Sequence, residues 1–172
     1  MAIHVYNKFK ITPFWTDEYK TLDYVREDFN DPDQVEKWLA EGYENNFTGD
    51  MCDMRRTQPQ WNHRFLTLFS KYGWKDIGTS YYRMMPGTIL PTHSDLYKRY
   101  VDILKLKGQE HTIKRAVVFL EDWQTGHLSE ISGEVVTEWH AGQVLEWTYD
   151  TPHMAGNAGT TPRYTLQITG HI

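Results

Sequence analysis

Arg163-Tyr164-Thr165-Leu166-Gln167-Ile168-Thr169-Gly170 alternates polar and apolar side chains along its length. Successive side chains of a strand point to opposite faces, so Arg163, Thr165, Gln167 and Thr169 share one face while Tyr164, Leu166 and Ile168 share the other. The apolar face calls for a core, and a guanidinium buried on the polar face calls for an anion. Working outward, β-rich segments recur between turn residues at Gly78 to Met85, Thr112 to Glu121, Glu134 to Trp139 and Gln143 to Tyr149. Short strands at this spacing predict one antiparallel barrel or sandwich.

The first part of the chain reads differently. Asp31-Pro32 supplies an N-cap followed by proline at the first helical position, Val35, Trp38 and Leu39 follow at helical spacing, and Gly42 ends the run. Trp61, Phe65, Leu68, Phe69 and Tyr72 form a second stripe, closed by Gly73. A third helical pattern, Leu96, Tyr97, Tyr100, Val101 and Leu104, interrupts the strands over residues 95–107 and predicts a helical insertion, a candidate lid. The 172 residues are expected to form one domain, with 1–75 a mixed helical support and 76–172 a β-rich catalytic core.

With 18 Lys+Arg against 23 Asp+Glu, the net charge of −5 argues against duplex nucleic acid as a partner. The lone cysteine, Cys52, can form neither an internal disulfide nor a Cys-based zinc site, which fits a reducing, cytoplasmic home. The start, Met1 to Lys8, shows no leader pattern, and no run of 18 apolar residues suggests a membrane span. Asn46-Phe47-Thr48 matches a glycosylation acceptor but has no meaning outside the secretory pathway.

Chemistry concentrates at His93-Ser94-Asp95, which follows Pro86-Gly87-Thr88-Ile89-Leu90-Pro91. Residues 93 and 95 lie on one side of an extended segment, so an imidazole and a carboxylate can converge on one ion. His153, in Thr151-Pro152-His153-Met154, supplies a third candidate ligand. Two imidazoles and a carboxylate make the facial triad of non-haem Fe(II) oxygenases, which leaves positions open for substrates. Arg163 stands ten residues further on.

On these residues the sequence resembles the 2-oxoglutarate/Fe(II)-dependent oxygenase superfamily, in its branch of small prolyl- and aspartyl/asparaginyl-hydroxylase-like proteins. The resemblance spans residues 78 to 170, carried by Tyr81-Tyr82-Arg83-Met84-Met85-Pro86-Gly87, His93-Ser94-Asp95, Arg115-Ala116-Val117-Val118-Phe119-Leu120, Gly142-Gln143, His153 with Asn157, and Arg163. It implies a mainly β fold with flanking helices and a double-stranded β-helix (jelly-roll, cupin-like) core. It also implies Fe(II) held by His93, Asp95 and His153, and 2-oxoglutarate held at its distal carboxylate by Arg163. Oxygen would be the other co-substrate, and the reaction hydroxylation of a small molecule or peptide side chain. Halogenating members of the superfamily lack the carboxylate that Asp95 supplies here.

Other candidates carry paired readings. Arg115 reaches the other carboxylate of 2-oxoglutarate, recognises an acidic substrate, or snorkels to solvent. Tyr82 donates its hydroxyl to the co-substrate or fills the barrel. Trp123, Trp139 and Trp147 read as core; His63, His111, His127, His140 and His171 read as structural or exposed; Asn157 reads as a turn former. The rival functions are a cupin-type metal-dependent isomerase or epimerase, which has no need of Arg163, and a non-catalytic jelly-roll binding module, which leaves the metal pattern unexplained.

Overall fold

The computed structural model describes residues 6–172; residues 1–5, part of the N-terminal stretch read above, lie outside the described residues. In chain order the strands are β1 (Tyr6–Lys10), β2 (Val25–Asp28), β3 (Thr48–Asp53), β4 (Lys75–Met84), β5 (Ile89–His93), β6 (Ile113–Phe119), β7 (His127–Ile131), β8 (Glu134–Val136), β9 (Gln143–Thr148), β10 (His153–Asn157) and β11 (Arg163–His171). The α-helices are α1 (Pro32–Ala40), α2 (Asn62–Lys71) and α3 (Lys98–Leu104).

The alternating segment at residue 163 becomes β11, central in a seven-stranded antiparallel sheet of order β1-β9-β6-β11-β4-β3-β2. Its two faces do what the alternation requires. Leu166 and Ile168 are fully buried in a core shared with Phe65 and Phe69 of α2, Tyr81 of β4, Ala116 and Val118 of β6, and Val144 of β9. Arg163, Thr165 and Gln167 face the opposite side, toward a four-stranded sheet of order β5-β10-β7-β8. Phe119, Leu145 and Trp147 of the large sheet pack there against Ile131 and Val136 of the small one, together with Trp139. Two antiparallel sheets face to face, with α2 on the outer face of the larger, make a mainly β fold with a double-stranded β-helix core.

The helix signals are met. The Asp31 side chain accepts a hydrogen bond from the Gln34 N–H at the start of α1, Gly42 lies at φ 95° beyond its end, and Gly73 follows α2 at φ 86°. α3 is shorter than the predicted insertion and begins after an irregular stretch from Ser94 to Tyr97. The N-terminal part departs from expectation, for it supplies three strands as well as helices. β1 joins one edge of the large sheet on β9, while β2 and β3 join the other on β4. Their sequences, such as Val25-Arg26-Glu27-Asp28, carry little apolar alternation, and pairing to a formed sheet is what makes them strands. A buried carboxylate reinforces this edge: Asp50 accepts from Arg26 at 3.2 Å and from Arg83 at 3.0 Å. No helix among the described residues is long and apolar enough to cross a membrane.

Candidate metal centre

The small sheet sets the two histidines side by side. His93 ends β5 and His153 begins β10, and the two are direct cross-strand partners. The register then slips, so that Ala155 faces Leu90, which leaves an extra residue on β5 around Pro91. Proline has no N–H to give a ladder and is tolerated at a bulge, and a bulge re-aims the side chain that follows it. Asp95 lies two residues past the end of β5 and turns back toward both rings.

One ligand atom from each of His93, Asp95 and His153 lies within 4.8 Å of the others. The His93 Nε2 stands 3.7 Å from Asp95 Oδ1, and the His153 Nε2 3.6 Å from Asp95 Oδ2. Each Nδ1 faces a backbone carbonyl, that of Pro91 at 2.7 Å and that of Thr151 at 2.9 Å. A carbonyl oxygen can only accept, so both Nδ1 atoms carry the proton and both Nε2 lone pairs face the carboxylate. The rings are also held laterally: Phe29 and Trp38 meet His93 edge-on at centroid distances of 4.9 and 5.6 Å, and Trp147 lies 4.9 Å from His153.

Electrostatics suits a cation. Burial drives the His153 pKa down to about 4, keeping its ring neutral. Burial pushes the Asp95 carboxyl up, but Arg115 and, once protonated, the two imidazoles outweigh it and hold Asp95 well below the usual carboxylate range. A dinitrogen–carboxylate set with its lone pairs converged fits a divalent transition metal, which His93, Asp95 and His153 would hold.

The sequence readings did not include the role that Arg115 takes here. From β6 it approaches Asp95 Oδ2 at 3.4 Å, donates to Gln167 Oε1 at 2.7 Å and lies over the Tyr97 ring, well short of solvent. The snorkelling alternative is thereby excluded. Arg163 is buried on β11; it donates to Ser129 Oγ at 2.6 Å and to the Leu128 carbonyl at 3.3 Å, and lies over the rings of Phe119 and Trp139. No carboxylate among the described residues pairs with it. Tyr82 sits on the same inner face of β4, opposite Thr165. Burial raises its pKa to about 12 although Arg163 pulls the other way, so the phenol is a neutral donor.

These groups line one cavity of about 220 Å³ that also takes in His93, Asp95 and His153. Four buried polar atoms on its wall have no hydrogen-bond partner: Tyr82 Oη, Arg115 Nε, Trp147 Nε1 and Arg163 Nε. Buried donors left unsatisfied are costly, and such a group of them marks a ligand site. Trp147 was read as core and is, but its indole N–H also faces this space; nothing in its sequence surroundings distinguishes it from Trp139. Gly49 of β3 makes room for Tyr82, since a Cβ at that position would lie 2.1 Å from the Tyr82 ring. His127 is buried with Nε2 3.0 Å from the Thr161 carbonyl, a structural role. Asn157 forms its expected turn by donating to the Met84 and Thr161 carbonyls and accepting from the Gly159 N–H.

No family model and no curated protein matches the chain. Solved structures do. A prolyl-4-hydroxylase from Pseudomonas putida superposes over 90% of this chain and 95% of its own, with a TM-score of 0.57 at 17% identity. The non-haem α-ketoglutarate-dependent epimerase SnoN of nogalamycin biosynthesis superposes over 88% of this chain and 78% of its own, with a TM-score of 0.52 at 15% identity. The likeness is one of fold.

Proposed function

We propose that the protein is an Fe(II)- and 2-oxoglutarate-dependent oxygenase that hydroxylates a small organic substrate. The observation that carries this reading is Arg163, a buried guanidinium with no carboxylate partner, in the same cavity as the His93, Asp95 and His153 cluster. A metal-dependent isomerase would use the cluster but has no need of the unpaired cation. In this reading the distal carboxylate of 2-oxoglutarate accepts from Arg163 and from the Tyr82 hydroxyl, while its 2-oxo acid end lies toward the metal ligands. Fe(II), once bound, would supply the redox chemistry that activates O2. In the overall balance one oxygen atom enters a substrate C–H bond and the other enters succinate, with loss of carbon dioxide.

The chain's own contributions are positional. The Nδ1 hydrogen bonds fix both imidazoles as Nε2 donors, Arg115 holds the Asp95 carboxylate in place, and Phe29, Trp38 and Trp147 wall off bulk water. The deciding experiment is anaerobic titration with Fe(II) and then 2-oxoglutarate, followed by succinate detection on exposure to oxygen. Metal-dependent 2-oxoglutarate binding and succinate release are expected. A protein that binds metal but shows no affinity for 2-oxoglutarate would return the site to the isomerase reading.

A further inference from the structure

A second, larger cavity of about 520 Å³ adjoins the inner one, and Asn30, Met51, Asp95, Arg115 and Gln167 line both. β11 runs through the two spaces: Arg163 and Thr165 lie in the inner cavity, Gln167 in both, and Thr169 in the outer. β4 runs alongside, with Tyr82 inside and Ser80 and Gly78 outside. At about 3.3 Å per residue, Arg163 and Thr169 stand roughly 20 Å apart, which leaves a length of sheet beyond the metal ligands for a second molecule. The outer groove is roofed by α3 and the irregular stretch before it, through Leu96, Tyr97, Tyr100 and Ile103, and flanked by Met51 and Met54 at the end of β3.

Its lining has two chemistries. Met54, Leu96 and Ile103 are large apolar side chains with 52%, 40% and 64% of their surface exposed. At the mouth stand Arg55, Lys98 and Arg99. Arg55 is held by Asp53 at 2.6 Å and Glu27 at 3.1 Å, whereas Lys98 and Arg99 form no ion pair among the described residues. Farther in, Asp95 and Arg115 offset each other. Asp53 lines the groove as well, so the mouth sets Arg55, Lys98 and Arg99 against Asp53 and Glu27 and keeps an excess of positive charge on a chain whose net charge is −5. The floor adds Ser80, whose buried hydroxyl has no partner, and Gly78, where an added Cβ would meet nothing within 4 Å.

We infer that this groove is the binding site for the oxidisable substrate, and that the substrate is a small amphipathic organic anion. Its apolar body lies among Met54, Leu96 and Ile103 with one end toward Asp95, and its carboxylate or phosphate rests against Lys98 and Arg99. A volume of this size suits a small molecule, and apolar walls with a few placed charges are the usual composition of such a site. The assignment of the ligand as substrate rests on the oxygenase reading; the groove's preference for an apolar anion does not.

Calorimetric titration with octanoate, octyl phosphate, octan-1-ol and an acidic hexapeptide tests it, on the protein alone and on protein loaded with Zn(II) and 2-oxoglutarate. Octanoate or octyl phosphate is expected to bind at least about tenfold more tightly than the alcohol, the size of one charge-assisted contact; whichever anion binds better identifies the head group. The Lys98→Ala/Arg99→Ala double variant should remove that advantage and leave the alcohol unchanged. Gly78→Leu, at a position without positive φ, should fill the groove and weaken all three aliphatic probes. Leu96→Ser/Ile103→Ser is a second, surface-placed pair that should do the same. Affinity for 2-oxoglutarate should be unaltered throughout, because none of these residues lines the inner cavity. The inference is overturned if neither anion binds better than the alcohol, if the acidic peptide binds best, or if binding ignores every groove variant. Loss of 2-oxoglutarate binding with groove binding intact would instead sink the oxygenase reading and leave the groove assignment standing.

Discussion

Arg163 and the two histidines divide the residue-scale chemistry between them. Replacing Arg163 by Ala removes a planar two-pronged contact and should weaken 2-oxoglutarate binding by about 10- to 100-fold. Arg163→Lys keeps the charge without the fork and should fall between Ala and wild type. Calorimetry at constant metal concentration reads the series, and an Arg163→Ala protein that binds 2-oxoglutarate as tightly as wild type would reverse the proposed orientation. His93→Ala/His153→Ala should abolish stoichiometric Fe(II) or Zn(II) binding, since only Asp95 of the converged set would remain. Undiminished metal binding by that double variant would dismiss the centre altogether. The identities of these residues were legible in the sequence because each is a chemically distinctive side chain at a recognisable spacing. The Arg115 contact with Asp95 was not, because nothing local relates a residue on β6 to one past the end of β5.

At the scale of elements, we propose that α3 moves as a cover over the site. It is a short helix with no buried residue, and it is bracketed by two non-glycine residues in the left-handed region, Tyr97 at φ 51° and Lys105 at φ 56°. Conformations of this kind cost of order 1–3 kcal/mol each and persist where surrounding contacts hold them. Tyr97 meets the Arg115 guanidinium at 5.1 Å, which ties the entrance of the helix to the metal cluster. Binding of metal and 2-oxoglutarate should therefore slow amide exchange across Leu96 to Gly108. Exchange that is the same in all states would make the segment a fixed cover. β-rich segments between turn residues announced β4, β6, β8, β9 and β11, whereas β5 and β10 were not among them: Ile89-Leu90-Pro91-Thr92-His93 contains a proline and His153-Met154-Ala155-Gly156-Asn157 lacks β-branched residues. Those two strands nonetheless carry both histidines, because β10 pairs on both sides, with β5 and β7, and edge strand β5 pairs with β10, which supplies hydrogen bonds that propensity does not.

For the whole molecule, the buried cluster links stability to pH. The His153 pKa is about 4 in the folded chain against an ordinary 6.5, so the unfolded chain takes up the proton first as pH falls. This contribution is complete above pH 6.5, declines as pH drops toward 4, and amounts to roughly 3 kcal/mol at full extent. Asp95, held low by Arg115 and the imidazoles against burial, adds a further loss at more acid pH. Urea denaturation of the metal-free protein should show lower stability at pH 4.5 than at 7.5, with His153→Gln removing much of the difference; identical pH slopes for the two proteins would refute the linkage. What the chain's linear order determined was the alternating strands, the capped helices, the three candidate ligands and the arginine after them, all of which depend on residue type and short spacing. Tertiary structure alone decided that His93 and His153 pair across strands, that β1, β2 and β3 complete both edges of the large sheet, that Arg115 clasps Asp95, and that two cavities meet there. Those facts join residues tens of positions apart, and burial and strand pairing across such distances carry no signature in local periodicity.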